Sequence, residues 1–308
     1  MNGAPGGTTP EAGLVVPLTQ EDLARLICPR CGGALRGAGA AGDAVDALIC
    51  SGCSARYPVR TGIPDLRPWA GGDAGPEWSA WRDRLERLQE WRRRTWNGTP
   101  HAQDRQQVAD RLATEFFKFV RIPEVGAILE IGCGTGSLRA YVPRRRYWGL
   151  DPLLGEPGAA VEDAGGTPAR FVRGVGERLP FADGSFESAL ICETLDHARE
   201  PARIIDEARR VLKPNGVLAV MQSVKLFEPL PPLRVRARHM LGRIKRLLSG
   251  SQAPRDADTK MRILSQNELA RLVGDRLVVE SGITSGSVMF MRALRQDVSA
   301  PRVPKRDV

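Results

Sequence analysis

No stretch of these 308 residues is apolar for long enough to cross a bilayer. The longest uncharged apolar runs, such as Val217–Met221, fall far short of the ~20 residues a spanning helix needs. Residues 1 to 13 also lack the basic start and apolar stretch of a secretory signal. A cytoplasmic protein without integral membrane association is therefore expected. Cysteine is sparse, and four of the six sit in two Cys-x-x-Cys pairs, a spacing that suits metal binding rather than a disulfide framework. Histidine is sparser still, at three residues, so any one of them beside a glycine-rich or acidic motif draws notice. No period of 20 to 50 residues repeats, which excludes solenoids and propellers.

What is present is an ordinary globular mixture, 42% hydrophobic and 26% charged, which excludes wholesale disorder. At roughly 150 residues per domain, about two domains are expected. Forty-five Lys and Arg against 36 Asp and Glu leave a formal +9, suited to a polyanion, an acidic substrate or an anionic surface. Composition and punctuation divide the chain into a flexible tail (1–18), a cysteine-bearing unit (19–68), a linker with amphipathic helices (69–122), a larger domain (123–295) and a basic tail (296–308).

In the linker region Trp78, Trp81, Leu85, Leu88 and Trp91 recur at helical spacing, as do Val108, Leu112, Phe116 and Phe119. These faces are read as packing on a neighbouring core, with an aromatic lid over a substrate as the alternative. From Ala127 onward, apolar runs (AILEIG, YWGL, FVRG, FESALIC, GVLAVM, RLVVE, SVMFMRAL) alternate with helical patterns such as PARIIDEARRVL. That alternation predicts an α/β, Rossmann-like domain with helices on both faces of a mainly parallel sheet.

Eighteen residues separate the Cys28/Cys31 pair from the Cys50/Cys53 pair, a spacing that lets two knuckles place four thiolates around one zinc ion. Gly32, Gly33 and Gly52 supply tight turns whose amides can approach sulfur. With four cysteines and no open position, the zinc is expected to be structural. The segment CPRCGG followed by LICSGCSARYPVRTGIPDLRP, over residues 20 to 68, resembles the small zinc-ribbon proteins that act as partners and activators of methyltransferases.

Residues 128 to 136 read ILEIGCGTG: a strand, an acid at Glu130, then Gly132, Gly134 and Gly136. The third glycine comes one residue too early for a nicotinamide dinucleotide fingerprint. Glycines permit close backbone approach to a ligand, and an acid accepts from a ligand that carries donors or positive charge. The next strand ends at Asp151, where a carboxylate can take both hydroxyls of a ribose. Together with GVGERLPFADGSFESALICETLDHAREPARIIDEARRVLKPNGVLAV at 174 onward, ILEIGCGTG resembles class I S-adenosylmethionine (SAM) dependent methyltransferases of the small-molecule and quinone methylating group, over residues 105 to 295.

The resemblance implies a seven-stranded sheet with one antiparallel strand near its edge. It implies that Glu130, Gly132, Gly134 and Gly136 cradle the methionine part, that Asp151 holds the ribose, and that Val175 and Gly176 form the adenine rim. The acid that many relatives direct at the adenine amino group is absent from Gly174-Val175-Gly176-Glu177, which leaves backbone and apolar contacts for that task.

Methyl transfer from a sulfonium chiefly needs positioning and water exclusion, with a base optional. Ligands bind at the carboxyl ends of parallel strands, which directs attention to the loop Cys192-Glu193-Thr194-Leu195-Asp196-His197. His197 beside Asp196 is the candidate base, against a capping or solvated role; Cys192 is read as lining the cofactor. Residues 225–262 form an insertion expected to cap the substrate, with Leu233, Ala237, Leu241, Ile244 and Leu248 as an apolar stripe among six basic residues and no acid over 230–250. The expected activity is methylation of a small molecule, acidic or phosphorylated in one form of the reading. The alternatives are an RNA methyltransferase gripping phosphates through ribbon and basic helix, and a non-catalytic scaffold.

Overall fold

The computed structural model describes residues 15–39, 45–72, 75–79, 81, 83–85, 87, 90, 102–142, 146–155, 169–225 and 263–296. The 225–262 insertion beyond Lys225, with its basic stripe, lies outside the described residues, as do Leu88, Trp91 and the tail beyond Arg295 and Gln296.

A short helix α1 (Gln20–Arg25) begins at Thr19, whose hydroxyl accepts from the Asp22 N–H while the Asp22 carboxylate takes the Thr19 N–H. Four strands follow: β1 (Leu35–Ala38), β2 (Ala47–Cys50), β3 (Arg56–Arg60) and β4 (Ile63–Pro64). They pair consecutively and antiparallel. Such a meander needs only short turns, so the two cysteine knuckles fall at neighbouring strand ends.

The larger sheet contains β5 (Ala127–Ile131), β6 (Arg146–Leu150), β7 (Arg170–Val172), β8 (Phe186–Cys192), β9 (Leu212–Ser223), β10 (Val278–Ser285) and β11 (Val288–Leu294), in the order β10-β11-β9-β8-β5-β6-β7. Strands β5 to β9 run parallel, whereas β11 is antiparallel to both its neighbours, β9 and β10. The seven apolar runs of the sequence are these seven strands, and the one antiparallel strand lies next to the edge. All five residues of β5 are buried, as expected of a central strand covered on both faces.

One face, through Leu129, Ile131, Trp148 and Leu150, packs with α3 (Pro201–Val211) and α4 (Gln266–Gly274). The other, through Ile128, Tyr147 and Leu190, packs under α2 (Ala102–Val120). On α2 the buried positions are Ala113, Phe116 and Val120, with Leu112 and Phe119 partly covered. Val108 is 49% exposed, so the apolar face begins one turn later than the spacing predicts. After the glycine turn, a five-residue 3-10 helix (Ser137–Tyr141) replaces the α-helix that strict alternation predicts.

The ribbon does not stand apart. Leu26, Leu48, Tyr57 and Leu66 share one continuous apolar cluster with Leu129, Trp148, Phe181 and Phe186. Leu26 pairs with Phe181, Asp65 pairs with Arg173 beside β7, and buried Asp22 meets Arg170 at 2.6 Å. Val15 and Val16, grouped with the flexible tail from sequence, instead meet Ala169 at the same edge. Gly71, in the expected linker, lies so close to the Tyr57 ring that a Cβ there would sit 2.6 Å from it.

Candidate functional site

The four ribbon cysteines converge, their sulfurs all within 4.8 Å of one another. Cys28 and Cys53 Sγ are 3.7 Å apart, and Cys31 and Cys50 Sγ 3.4 Å. A tetrahedral ion with ~2.3 Å bonds to sulfur requires edges of ~3.8 Å, so the donor set fits a closed four-thiolate site. The N–H of Arg30 points at Cys28 Sγ (3.4 Å), and those of Gly52 and Cys53 at Cys50 Sγ (3.3 and 3.4 Å). Burial works against ionisation of Cys50, but the N–H groups of Cys53 and Gly52 outweigh it and bring the thiol down to about 7. A Cβ on Gly33 would lie 3.1 Å from Cys50 Sγ, which is why glycine occupies that turn.

The second constellation sits where the order of the large sheet reverses. The chain passes from β5 to β6 and β7 on one side and then returns to β8 on the other, so the carboxyl ends of β5 and β8 flank the switch point at which open α/β sheets bind ligands. Gly132, Gly134 and Gly136 all adopt left-handed backbone there. A Cβ on Gly132 would stand 2.3 Å from Thr194 Oγ1, and that hydroxyl is tied to the carbonyls of Ile131 and Cys192 at 3.2 and 2.9 Å. Fully buried Arg139 donates to the Gly136 carbonyl (2.8 Å) and lies against the Phe171 ring, holding the turn from beneath.

Asp151 ends β6 with Oδ2 accepting from Gly134 N (3.0 Å) and Oδ1 from Leu153 N (2.8 Å). Each oxygen keeps a lone pair for a further donor. Glu130, one strand over, is 2% exposed, and its Oε2 accepts the Tyr147 hydroxyl. Burial, reinforced by the charge of Asp151 and opposed by the Tyr147 hydrogen bond, pushes its carboxyl up to about 8. Glu130 is thus a neutral, core-facing acid rather than an open charge.

Val175 is buried with Leu153, Trp78, Trp81 and Leu85. The tryptophan face therefore does pack on a core, and that core borders the Asp151 loop. Gly176 has Ile131 and Ile204 at 3.0 Å from where its Cβ would be, a fit that leaves no side-chain room. Glu177, raised in pKa by burial, accepts the Arg199 N–H at 3.0 Å just before α3.

Cys192 lines the end of β8; burial above all pushes its thiol well above the usual range, so it stays protonated. Asp196 is buried, with Oδ1 accepting from Gln222 Nε2 (3.2 Å), while Gln222 Oε1 takes the Leu195 N–H (2.9 Å). His197 Nε2 lies 3.9 Å from Asp196 Oδ1, beyond hydrogen-bond reach. Asp196 therefore braces the loop more directly than it orients the imidazole. Buried Arg84 donates to the His197 carbonyl at 3.3 Å.

Three contributors escaped sequence reasoning, Tyr147, Arg139 and Arg84, while Thr194 lay in the loop singled out but had no role assigned. Tyr147 was within reach, because Ile128 pairs with Tyr147 and Glu130 with Gly149, which places Glu130 and Tyr147 on one face.

Residues 129–220 match the methyltransferase domain family. The matched span of the methyltransferase domain holds Glu130, the glycine turn, Asp151, Val175 and His197 together. An uncharacterized methyltransferase of Mycobacterium sp. (strain JLS) is 36% identical over 118 residues, 37% of this chain and 45% of that protein. Another, from Mycobacterium tuberculosis (strain ATCC 25177 / H37Ra), is 34% identical over 107 residues, 34% of this chain and 42% of that protein. The matched segment thus spans less than half the length of these curated relatives.

Among solved structures, Burkholderia thailandensis 1,6-didemethyltoxoflavin-N1-methyltransferase, with its substrate and S-adenosylhomocysteine bound, is similar at 16% identity and a TM-score of 0.46, over 80% of this chain and 98% of that one. A chain of the complex containing the Haloferax volcanii Trm112 methyltransferase activator is similar at 17% identity and a TM-score of 0.44, over 73% and 98%.

Proposed function

We propose that this protein is a SAM-dependent methyltransferase acting on a small-molecule acceptor, with a structural zinc ribbon built into its cofactor-binding domain. The observation that carries the reading is the glycine turn at the sheet's switch point, whose Gly134 N–H already holds Asp151 in place at 3.0 Å. Three glycines in left-handed backbone, a pinned carboxylate one strand over and an apolar rim at Leu153 and Val175 suit a ligand with an amino-acid end, a ribose and a flat base.

When bound, SAM supplies a methyl group already activated on a sulfonium, so transfer is an in-line displacement. Asp151 accepts the ribose hydroxyls, and Gly132, Gly134 and Gly136 let the backbone approach the methionine part. Val175 and Gly176, with Leu153 beside them, form the adenine edge without a dedicated acid. Glu130 lies buried in the strand before the turn, held by the Tyr147 hydroxyl. Cys192 and Thr194 border the transfer region. His197 is the candidate for taking a proton from an acceptor; its side chain is 32% exposed, and Asp196, bonded to Gln222, would fix the loop that carries it. Cys28, Cys31, Cys50 and Cys53 would hold zinc and supply order rather than chemistry.

Calorimetric titration with S-adenosylhomocysteine tests this directly. One-to-one binding is expected; absence of binding by a folded, metal-loaded chain overturns the reading. Methyl transfer to a small acceptor should also vary little with added salt, because no phosphate-backbone counterions are released.

A further inference from the structure

The ribbon leaves toward the larger domain through Asp65, Leu66 and Arg67, and this short strap reaches the loop that presents Asp151. Leu66 N–H donates to the Arg173 carbonyl (2.8 Å) and Arg173 N–H to that of Pro64 (2.9 Å), so the strap extends the sheet edge beside β7. Buried Asp65 then takes both arms of one guanidinium: Arg67 Nε to Oδ1 at 2.8 Å and Nη2 to Oδ2 at 2.6 Å. The remaining arm, Nη1, donates to the Pro152 carbonyl at 3.3 Å. The same guanidinium lies 5.5 Å from the centre of the Trp69 ring, which in turn meets Trp78 at 6.1 Å.

Pro152 stands between Asp151, whose oxygens are held by Gly134 and Leu153, and Leu153, which packs on Trp78, Trp81 and Val175. Proline has no N–H, so the carbonyl is the one backbone group by which Pro152 itself can be tethered, in addition to the bond from Asp151 N–H to the Val172 carbonyl (3.3 Å). We infer that Arg67 is a positioning residue for the nucleoside half of the cofactor, fixing the Asp151 loop from the ribbon side through the Pro152 carbonyl. The inference rests on the cofactor site proposed above. An arginine is needed for it: two donors are committed to Asp65, and only a planar fork has another left for a second partner in a fixed direction. Without that tether the loop must be ordered by the ligand, and affinity falls by the cost of ordering it.

The test is calorimetric titration of S-adenosylhomocysteine into the full, metal-loaded chain, comparing wild type, Arg67→Ala, Arg67→Lys, Asp151→Asn and the Arg67→Ala/Asp151→Asn pair, with metal content and melting temperature recorded for each. Arg67→Ala should weaken binding about tenfold or more, the scale of a charged donor's hydrogen bond, and Arg67→Lys, which can keep Asp65 but not Pro152 as well, should weaken it nearly as much. If Arg67 acts through Asp151, removing it from the Asp151→Asn protein should cost less than about twofold, the signature of a coupled pair.

Wild-type affinity in Arg67→Ala would overturn the proposal, as would losses that simply add in the double variant. Should Arg67→Ala lose metal or fold, Arg67→Lys decides: it can satisfy Asp65 but not Pro152 as well, and unchanged affinity there sinks the idea. Failure of the wild type to bind at all would instead remove the methyltransferase reading.

Discussion

The ribbon and the cofactor rim are both strand ends closed by glycines, yet what holds each closed differs. In the ribbon, the amides of Arg30, Gly52 and Cys53 point at sulfur, and four sulfurs crowd into one small volume. In the rim, the Gly134 amide meets the Asp151 carboxylate, the Gly136 carbonyl meets Arg139, and Glu130 meets Tyr147. The rim's turn is bonded by the protein itself, whereas on the zinc reading proposed above the ribbon's turns would complete their bonding with an ion. On that reading the rim is preorganised before a ligand arrives and the ribbon would depend on its metal for order.

The largest test of that contrast is Cys50→Ser. It should lower metal content and cost several kcal/mol of stability, because structural zinc contributes folding free energy outright. Since Leu26, Tyr57 and Leu66 share a core with Trp148 and Phe181, melting should remain one transition at a lower temperature; two separate transitions would show the ribbon to be an independent unit.

Gly132→Ala comes next. The left-handed backbone and the Thr194 hydroxyl at 2.3 Å together should cost about 2–4 kcal/mol and abolish measurable S-adenosylhomocysteine binding, with metal content unchanged. Partial recovery in Gly132→Ala/Thr194→Ala would assign most of the loss to the collision, and no recovery would assign it to the backbone.

Asp151→Ala should leave metal content unchanged, lower stability by about 1–3 kcal/mol because the Gly134 and Leu153 N–H groups lose their acceptors, and weaken S-adenosylhomocysteine by about 1–3 kcal/mol through lost hydrogen bonds. Undiminished affinity would remove the ribose assignment.

The smallest effect at neutral pH is expected of Glu130→Gln, because the native carboxyl, at about 8, is already mostly protonated there. Its signature lies in the pH dependence. The native group binds its proton more tightly than the unfolded one, whose value is near 4.5, so its contribution is full below that value and is lost as pH rises toward about 8. Wild-type stability should decline across that window by at most ~1.4 kcal/mol per pH unit from this group, and the glutamine variant should lack that component. Parallel pH profiles for the two proteins would mean that Glu130 is ionised in the fold.

The sheet was readable because β-strand periodicity and glycine turns are local signals: AILEIG, YWGL and FESALIC are β5, β6 and β8, and the four cysteines announce their own convergence. The interplay of ribbon and rim was not readable. Asp65, Arg67 and Trp69 look like punctuation before a linker, and only tertiary structure brings Arg67 to Pro152. The 3-10 helix after Gly136 was missed for a different reason, since strand-helix alternation is a rule about typical crossovers and this connection is short. The bracing of Asp196 by Gln222 likewise depends on register between β8 and β9, which no spacing within the loop discloses.

The pairing of Leu26 with Phe181 bears on how the chain is made. Synthesis runs from the ribbon toward the sheet, at roughly 5–20 residues per second, so the ribbon's inner surface waits on the order of ten seconds for the strands that will cover it. During that interval, Leu26, Leu48 and Tyr57 lack the sheet side of their core. A metal ion taken up early by the four sulfurs would hold those residues in their final register while the rest is translated. On that timetable, and if the proposed site is loaded, metal supply during growth would act on the yield of folded protein, apart from any need of the finished molecule.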